Sequence, residues 1–372
     1  MLSQRRRFQG IVAVAILVLV MLGGLVPDPF VTPLPGSQPK QAQIGTLGQL
    51  TGFFDGIRDY FDSNMNYAAS VPLLRGIVEY ELGASSSPKV YIGRNNHLFY
   101  AAESAAAQSA GAIYRRPETL HFVDMATILR RELERRGAKL VVTIPPNAQS
   151  IAIDDLPSWS RARPPFEYDL AMGELRKRGI ASVDLKTPFL AMEDRDAIYR
   201  LTDTHWRMRG AVLAFNLVVP GAGHPEWTVN PEAVLGPVTP IPGGDLARFM
   251  GIQRYLTDAD AQMLPALEGG WEKLDILRPS PFAGVFDSYA YGRKGAKGGE
   301  RVLVLGDSFT YYFWLPLFQR SDAERIGWMH HGFCGFDFAD VERFEPTLVI
   351  LAPTERVMPC ALAAWPPRLP PE

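Results

Sequence analysis

Apolar residues follow two patterns along this chain: short, nearly continuous runs and longer segments with helical spacing. The short runs predict strands at residues 140–144, 180–185, 302–305 and 348–351. The helical spacing predicts three helices: one that carries Phe122, Met125, Leu129 and Leu133, one at 166–178 and one at 207–219. Strands that are apolar on both faces and alternate with helices are typical of parallel sheets. The pattern therefore predicts an α/β fold with a mainly parallel sheet.

The amino terminus has the pattern of an export signal. Arginines at positions 5–7 precede an apolar run at 11–26. Positive charge before such a run keeps the arginines in the cytoplasm while the downstream chain crosses the membrane. No small-x-small cleavage site follows, which favours an uncleaved signal anchor over residues 1–26, with a cleaved signal peptide as the alternative. In both cases we expect the rest of the protein outside the cytoplasm.

Proline and glycine mark the limits of the main domain. Residues 27–48 are rich in Pro, Gly and Gln and predict a linker, and residues 363–372 predict a Pro-rich tail. Between them, residues 49–362 are expected to form one catalytic domain. Helical spacing at 53–80 predicts a helical collar at the start of this domain.

A long segment at 220–299 is dense in Gly and Pro. Within it, residues 289–294 carry two tyrosines and two basic residues. This part predicts either an ordinary exposed hairpin or, through Tyr291, one wall of a substrate groove.

The strand predicted at 302–305 ends in Gly306-Asp307-Ser308. A tight turn into a helix near Phe309 would place Ser308 at the carboxyl edge of the sheet, where open α/β proteins hold their reactive groups. The first N–H groups of that helix would face an oxyanion formed there. Ser308 is therefore a candidate nucleophile. The alternative is that Asp307 or Ser308 merely caps the helix.

A serine nucleophile needs a base, and His205 is the best placed of the six histidines. Asp203 lies two positions earlier, so in an extended loop both side chains point the same way. The carboxylate can then hold the imidazole Nδ1–H while Nε2 faces a serine. The alternative is that Asp203-Thr204-His205 is an N-capping cluster for the helix predicted at 207–219.

Arg356 follows the last predicted strand. Its planar guanidinium suits carboxylates and phosphates, so Arg356 and Tyr291 are the candidate substrate-binding residues. An ion pair with Glu355 or with another acid is the structural alternative for Arg356.

Composition narrows the classes of function. The 372 residues include 47% hydrophobic residues and carry a formal charge of −2, which allows a large core and gives no bias toward nucleic acid. No glycine-rich phosphate loop or Cys-x-x-Cys motif occurs, and His330-His331 alone is too little for a metal site, so we expect no cofactor and no metal. Cys334 and Cys360 permit a disulfide in an exported domain, with two buried thiols as the alternative.

Together these segments resemble a known family. Asp-Thr-His-Trp at 203–206, then Arg-x-x-Gly-Ala, and later Gly-Asp-Ser-Phe are similar to the SGNH-hydrolase-like domain of the periplasmic alginate O-acetylation proteins. Shorter matches lie at 91–93 with 98–99, at 144–147, at 244–246 and at 354–356, so the resemblance covers about residues 50–360. Ordinary SGNH hydrolases carry the serine first, whereas this family has the Asp/His pair first, as here. The order of the three residues along the chain does not affect the chemistry, because a triad is defined by geometry.

The resemblance implies a three-layer SGNH-hydrolase-like fold and an O-acetyltransferase for an exported polysaccharide, with Ser308, His205 and Asp203 as the triad and an acetyl-serine intermediate. It also implies an acetyl donor supplied by a multipass membrane acyltransferase, further polysaccharide export proteins as partners, and a periplasmic location anchored to the inner membrane. Two alternatives stay open: a carbohydrate acetylesterase with the same triad, and a non-catalytic polysaccharide-binding scaffold. The acceptor polysaccharide is not readable from these residues.

Overall fold

The computed structural model describes residues 70–161, 164–266, 270–280, 284–296 and 298–362. The predicted signal segment, the linker, most of the helical collar and the Pro-rich tail lie outside these residues. Contacts divide the chain into residues 1–86 and 87–372. Of the first unit the structure describes helix α1 (Ser70–Glu81), at the end of the predicted collar. None of the helices in the described ranges combines the length and hydropathy that a membrane crossing requires.

The second unit alternates strands with helices, as predicted. Its helices are α2 (Ala105–Ser109), α3 (Arg116–Glu134), α4 (Ala148–Ile151), α5 (Glu167–Lys177), α6 (Lys186–Leu190), α7 (Met208–Gly221), α8 (Pro231–Val234), α9 (Asp245–Phe249), α10 (Ser308–Tyr311), α11 (Leu315–Phe318) and α12 (Phe338–Phe344). Its strands are β1 (Val90–Ile92), β2 (Leu98–Tyr100), β3 (Lys139–Thr143), β4 (Ser182–Val183), β5 (Leu235–Pro242), β6 (Thr257–Met263), β7 (Trp271–Lys273), β8 (Tyr289–Arg293), β9 (Arg301–Gly306), β10 (Arg325–His330) and β11 (Leu348–Ala352).

The main sheet has seven strands in the order β4-β3-β11-β9-β10-β8-β7. The strands from β4 to β10 pair in parallel, whereas β8 runs antiparallel to β10 and to β7. The sheet is therefore mixed: the five strands from β4 to β10 are parallel, as expected, and the two strands at the other edge are antiparallel. The antiparallel edge arises because β7 and β8 pair directly with each other, which needs no helical crossover.

Helices cover both faces of this sheet, because side chains of successive strand residues point to opposite faces. In β9, Val302 and Val304 join one buried cluster, which includes Phe215, Trp314 and Phe318 from the helices of one layer. Leu303 and Leu305 join the other cluster, with Phe122, Tyr168 and Phe338 from the helices of the other layer. The apolar run predicted at 302–305 is thus buried on both sides, and the fold has three layers.

Residues 289–294 differ from the simpler expectation. They are not an exposed hairpin, because strand β8 lies inside the main sheet between β10 and β7, and Ala290 is fully buried. Ring contacts explain this position, since Tyr289 stacks on Trp328 of β10 at 6.0 Å between centroids. The strand predicted at 180–185 is shorter than expected and pairs only at Ser182–Val183, on the edge of the sheet.

Cys334 and Cys360 form a disulfide with a Cα–Cα distance of 5.7 Å. The pairing that the sequence left open is therefore present. It joins the segment after β10 to the segment after β11.

Candidate active site

The serine turn lies at the carboxyl end of β9, in the centre of the sheet. Asp307 is the N-cap of α10, and its Oδ1 accepts a hydrogen bond from the Phe309 N–H at 3.0 Å. Helix α10 thus begins at Ser308, one residue before the predicted start. A side chain at Gly306 would collide with Thr310 Oγ1, so glycine lets the turn close tightly. Capping by Asp307 and a chemical role for Ser308 are compatible, because they involve different residues.

Asp307 is anchored from two further directions. Its Oδ2 accepts the Thr354 N–H at 2.7 Å, and His331 Nε2 lies 3.8 Å from the same oxygen. Burial by itself raises the pKa of Asp307, but the His331 imidazole and the charge of Arg356 hold this pKa well below its usual range. The turn that carries Ser308 is therefore fixed to the segment after β11 by an ionised, buried carboxylate.

Asp203 and His205 form the pair that their spacing predicts. Asp203 Oδ1 lies 2.7 Å from His205 Nδ1 and accepts the His205 backbone N–H at 2.9 Å. Arg200 lies 3.6 Å from Asp203 Oδ2. Burial raises the pKa of Asp203, but hydrogen bonds from His205 and the nearby charges outweigh it, so the pKa lies well below the usual value. An ionised Asp203 orients the imidazole with Nε2 directed away from it.

A second loop holds this pair in place. Asp245, the first residue of α9, accepts the Thr204 N–H at 2.8 Å through Oδ1 and the Thr204 hydroxyl through Oδ2. In return the Asp245 N–H donates to Asp203 Oδ2 at 3.1 Å. A side chain at Gly244 would collide with Asp203. Each loop thus binds backbone groups of the other, an arrangement that fixes the position of His205 more firmly than one hydrogen bond could.

His205 lies against the helix that Ser308 begins. The His205 ring is 5.2 Å from the Phe309 ring and meets Tyr312 edge-on at 6.1 Å. Its Nε2 is buried and forms no hydrogen bond with any described residue. Ser308 is 9% exposed. The structure therefore brings Asp203, His205 and the Ser308 turn into one site, with the basic nitrogen of the imidazole free.

The oxyanion donors differ from the expectation. The Phe309 N–H is taken by the Asp307 carboxylate, and the N–H groups of Thr310 and Tyr311 donate to the Asp307 carbonyl at 3.1 and 3.0 Å. The helix start is thus largely satisfied by its own cap. The Ser308 N–H takes no part in this cap and is the remaining backbone donor in the turn.

The structure places the two candidate substrate-binding residues, Arg356 and Tyr291, in different regions. Arg356 lies at the site, with its guanidinium 5.4 Å from the Phe309 ring and 5.3 Å from the Tyr100 ring. Its ion-pair partner is Glu103 at 2.9 Å, while the adjacent Glu355 accepts hydrogen bonds from Asn147 and Ser150. Tyr291 pairs with Ile326, near the start of β10, and therefore lies toward the opposite end of the sheet from Ser308. The structure does not bring Tyr291 to the site.

Asp245 and Glu103 are two of the neighbours of the site to which sequence reasoning gave no role. Gly244-Asp245 stood out only as a short match to the family, because a Gly-Asp pair before a short helix is usually a turn. Glu103 carries no signal of its own. Their positions depend on how distant loops meet, which residue spacing does not encode.

Two other features of the region can be assigned. The ligand-type atoms of Asp203, His205 and Asp245 lie within 4.8 Å of one another. Hydrogen bonds within the two loops already account for all four carboxylate oxygens. A cavity of about 150 Å³ is lined by Glu355, Asn147 and Glu167 among others, but neither Ser308 nor His205 lines it. Geometry and chemistry therefore place the candidate site at Ser308, outside the cavity.

A serine turn at the carboxyl edge of a three-layer α/β fold, with an Asp-His pair from an earlier loop, is the arrangement expected of an SGNH-hydrolase-like fold. Residues 90–263 match a family model described as an SGNH hydrolase-like domain of the acetyltransferase AlgX. A curated relative, the probable alginate O-acetylase AlgJ of Pseudomonas aeruginosa, is 29% identical over 138 residues, 36% of this chain and 33% of that protein. The chain thus spans about a third of the length of that relative.

Solved structures add the fold. A structure of Bacillus cereus PatB1 with a sulfonyl adduct is 14% identical, has a TM-score of 0.52, and is matched over 73% of this chain and 98% of its own. The O-acetyltransferase domain of Pseudomonas putida AlgJ is 16% identical with a TM-score of 0.47, over 75% of this chain and 96% of its own. The PatB1 likeness shows the fold. The family model and the curated relative confirm the resemblance to the alginate O-acetyltransferase family.

Proposed function

We propose that this protein is an O-acetyltransferase that moves an acetyl group onto hydroxyls of an exported polysaccharide, with Ser308 as nucleophile, His205 as base and Asp203 as the group that orients the base. The observation that carries the proposal is the free, buried Nε2 of His205, held by Asp203 through Nδ1 and packed against the helix that begins at Ser308. The family model, whose description names an acetyltransferase, and the curated relative named as an O-acetylase support the choice of reaction.

In the first half of the reaction, His205 Nε2 takes the proton of the Ser308 hydroxyl while Oγ attacks the acetyl carbonyl of an ester or thioester donor. The Ser308 N–H faces the oxyanion that forms. The bond from the acetyl carbon to the donor then breaks, and the donor leaves with the proton from His205. The product is an acetyl ester on Ser308.

In the second half, a sugar hydroxyl gives its proton to His205 Nε2 and its oxygen attacks the acetyl carbon. The bond to Ser308 Oγ breaks, and Oγ recovers the proton. Water performs the same step if it reaches the ester first, which is the esterase reaction. Phe309 and Tyr312 contact the imidazole from two sides and restrict the approach to Nε2.

The donor and location follow from the same proposal. The first arginines and the apolar run anchor the chain in the inner membrane, and the domain acts in the periplasm. A multipass membrane acyltransferase supplies the acetyl group, and other polysaccharide export proteins deliver the acceptor. No nucleic acid takes part.

The test uses the full-length protein in detergent, with a chromogenic acetyl ester as donor and defined oligosaccharides as acceptors, analysed by mass spectrometry. The wild-type protein should produce acetylated oligosaccharide, and Ser308→Ala should produce it at least about 10³-fold more slowly. Ser158→Ala removes an exposed serine hydroxyl far along the chain and serves as the control. Full transfer by Ser308→Ala would refute the triad. Ser308-dependent acetate release without any acetylated acceptor would identify an esterase, and no activity on either substrate would favour a scaffold.

A further inference from the structure

We propose that the cavity of about 150 Å³ lined by Glu355 and Asn147 is a binding site for a small primary alkylammonium ion, with the Glu355 carboxylate as counter-ion and the Asn147 side-chain oxygen as a second acceptor. Ser308 and His205 do not line this cavity, so the site is separate from the candidate active site. It goes beyond the proposed function and does not depend on it. The site is called the ammonium cavity below.

Glu355 is a buried acid that forms no ion pair with any described residue. It is 4% exposed. Its Oε2 accepts the Asn147 N–H at 2.8 Å and the Ser150 hydroxyl at 2.6 Å, whereas no described residue donates a hydrogen bond to Oε1. Burial raises the pKa of Glu355, and the opposing effects of the two hydrogen bonds and of Lys186 are smaller. A buried carboxylate of this kind either takes up a proton or pairs with a cation.

Asn147 brings a second unpaired acceptor to the same cavity. Its Oδ1 is buried and accepts no hydrogen bond from any described residue. Its Nδ2 donates to Gln108 Oε1 at 3.0 Å, and Gln108 Nε2 donates to Glu167 at 2.8 Å, so these bonds set the orientation of both amides. A buried amide oxygen without a donor costs free energy, which an N–H group of a ligand in the cavity would recover.

The other two charged side chains that line the cavity are already paired. Arg115 Nη2 donates to Glu167 Oε2 at 2.7 Å. Lys186 Nζ lies 3.1 Å from Asp169. Glu355 is therefore the lining residue whose charge is left for a ligand.

The walls of the cavity favour an organic cation over a metal ion. Beside the polar groups, the cavity is lined by Ile153, Leu156 and Leu190. A calcium ion needs about six to eight oxygen ligands, which two unpaired acceptors do not supply. A primary ammonium ion has N–H donors for both acceptors, and its alkyl chain can lie against the apolar walls. Tyr114 and Ile153 are 38% and 39% exposed, so the cavity reaches the surface and a small amine can enter.

The ammonium cavity shares a short segment with the candidate active site. The Thr354 N–H donates to Asp307 Oδ2 at 2.7 Å, and the Arg356 guanidinium lies 5.4 Å from the Phe309 ring. Glu355 lies between these two residues in sequence and lines the cavity. A ligand bound to Glu355 therefore contacts the same segment that anchors the serine turn.

Binding can be measured by calorimetric titration of the full-length protein in detergent with n-propylammonium chloride. n-Propanol is the matched neutral ligand, because it has the same shape and no charge, and it should bind at least about tenfold more weakly. Tetramethylammonium keeps the charge but has no N–H group, so it should also bind more weakly. O-Phosphoethanolamine joins the ammonium to the phosphate of a lipid headgroup, and it should bind more weakly because Glu355 repels the phosphate.

Glu355→Gln keeps the size of the side chain and removes its charge. It should weaken propylammonium binding at least about tenfold and leave propanol binding unchanged. Glu272→Gln is the matched control, because Glu272 is exposed on β7 and does not line the cavity, and it should change neither affinity. Ile153→Trp places a large ring at the entrance of the cavity, so it should block propylammonium binding while Glu355 stays intact.

Circular dichroism should show that all variants are folded. No binding of propylammonium, equal affinity for propanol or tetramethylammonium, or unchanged affinity in Glu355→Gln or Ile153→Trp would each overturn the inference. Tighter binding of O-phosphoethanolamine would assign the cavity to a lipid headgroup and contradict a site for a free amine. The proposed function fails on a different result, since retained transfer by Ser308→Ala contradicts it.

Discussion

The sharpest test of the site is Asp203→Asn, which changes one atom type and almost no volume. Every group that faces the Asp203 carboxylate is a donor. Oδ1 receives the His205 N–H and lies 2.7 Å from Nδ1, and Oδ2 receives the Asp245 N–H and faces Arg200. An amide must direct its NH₂ group at one of these two sets. Either orientation therefore places donors against donors.

The size of the loss in kcat depends on the orientation that the new amide adopts in the Asp203→Asn variant. If NH₂ faces His205, the imidazole must accept at Nδ1 and carry its proton on Nε2, and it can no longer take the proton of Ser308. If NH₂ faces Asp245 and Arg200, a buried hydrogen bond and an ion pair are lost. Loss of the correct tautomer in a serine triad costs about 10⁴-fold in kcat, or about 5.5 kcal/mol at about 1.4 kcal/mol per factor of ten.

The assay is kcat for the chromogenic acetyl ester, with folding checked by thermal unfolding. Asp245→Asn is the matched control, because the same change lies 3.7 Å from the same Nδ1. There the amide oxygen can keep the Thr204 N–H, and NH₂ can donate to the Thr204 hydroxyl, which also accepts. We expect less than about a tenfold loss for Asp245→Asn. If Asp203→Asn kept kcat within that same range, the role of Asp203 would be wrong.

Three further predictions concern the supports of the site. Gly244→Ala should lower kcat and destabilise the fold by about 1–3 kcal/mol, because the new methyl group collides with Asp203. Gly173→Ala meets open space inside helix α5 and should leave kcat unchanged while stabilising the fold by up to about 1 kcal/mol. The free energy of unfolding in urea should fall as the pH drops below about 4, because the pKa of Asp307 is lower in the folded protein than in the unfolded chain, and the stabilisation by its ionised form is lost on acidification. Asp307→Asn should flatten this pH dependence. An equally steep loss of stability at low pH in the variant would contradict the prediction. Replacing Cys334 and Cys360 together by serine should lower the free energy of unfolding by about 3.5 kcal/mol, since the bond closes a loop across a sequence separation of 26 residues. An unchanged urea midpoint would count against this.

The central sheet and the residues of the site were predictable where the pattern is local. Four consecutive apolar residues at 302–305 indicate a strand buried on both faces, and the structure buries them in two clusters. The spacing of Asp203 and His205 predicts their hydrogen bond, because an extended chain directs alternate side chains to one side. Both predictions depend only on residues that are close in sequence, and the local backbone geometry determines where such side chains point.

The remaining features depend on contacts between distant segments. Nothing near Tyr291 indicates that its strand adds antiparallel to β10, so a plausible groove residue lies toward the other end of the sheet. Arg356 pairs with Glu103 from a loop far back in the chain, not with its neighbour Glu355. Residue spacing does not predict such partners, because the packing of distant segments determines which residues meet. The roles of the triad residues and the limits of the domain at 49–362 stay predictions.

The nucleophile and the base of the candidate site are therefore held in place by different parts of the fold. The sheet positions Ser308, because its turn ends the central strand and Asp307 ties that turn to Thr354. His205 instead lies in a loop, which is held by the loop that carries Asp245 and by Asp258 of β6, whose carboxylate accepts two hydrogen bonds from Thr202. Because loops are positioned less firmly than strands, the reciprocal bonds between Asp203, Thr204 and Asp245 replace the rigidity that a sheet would provide. The segment at 220–299 thus supports the base through Asp245 and Asp258.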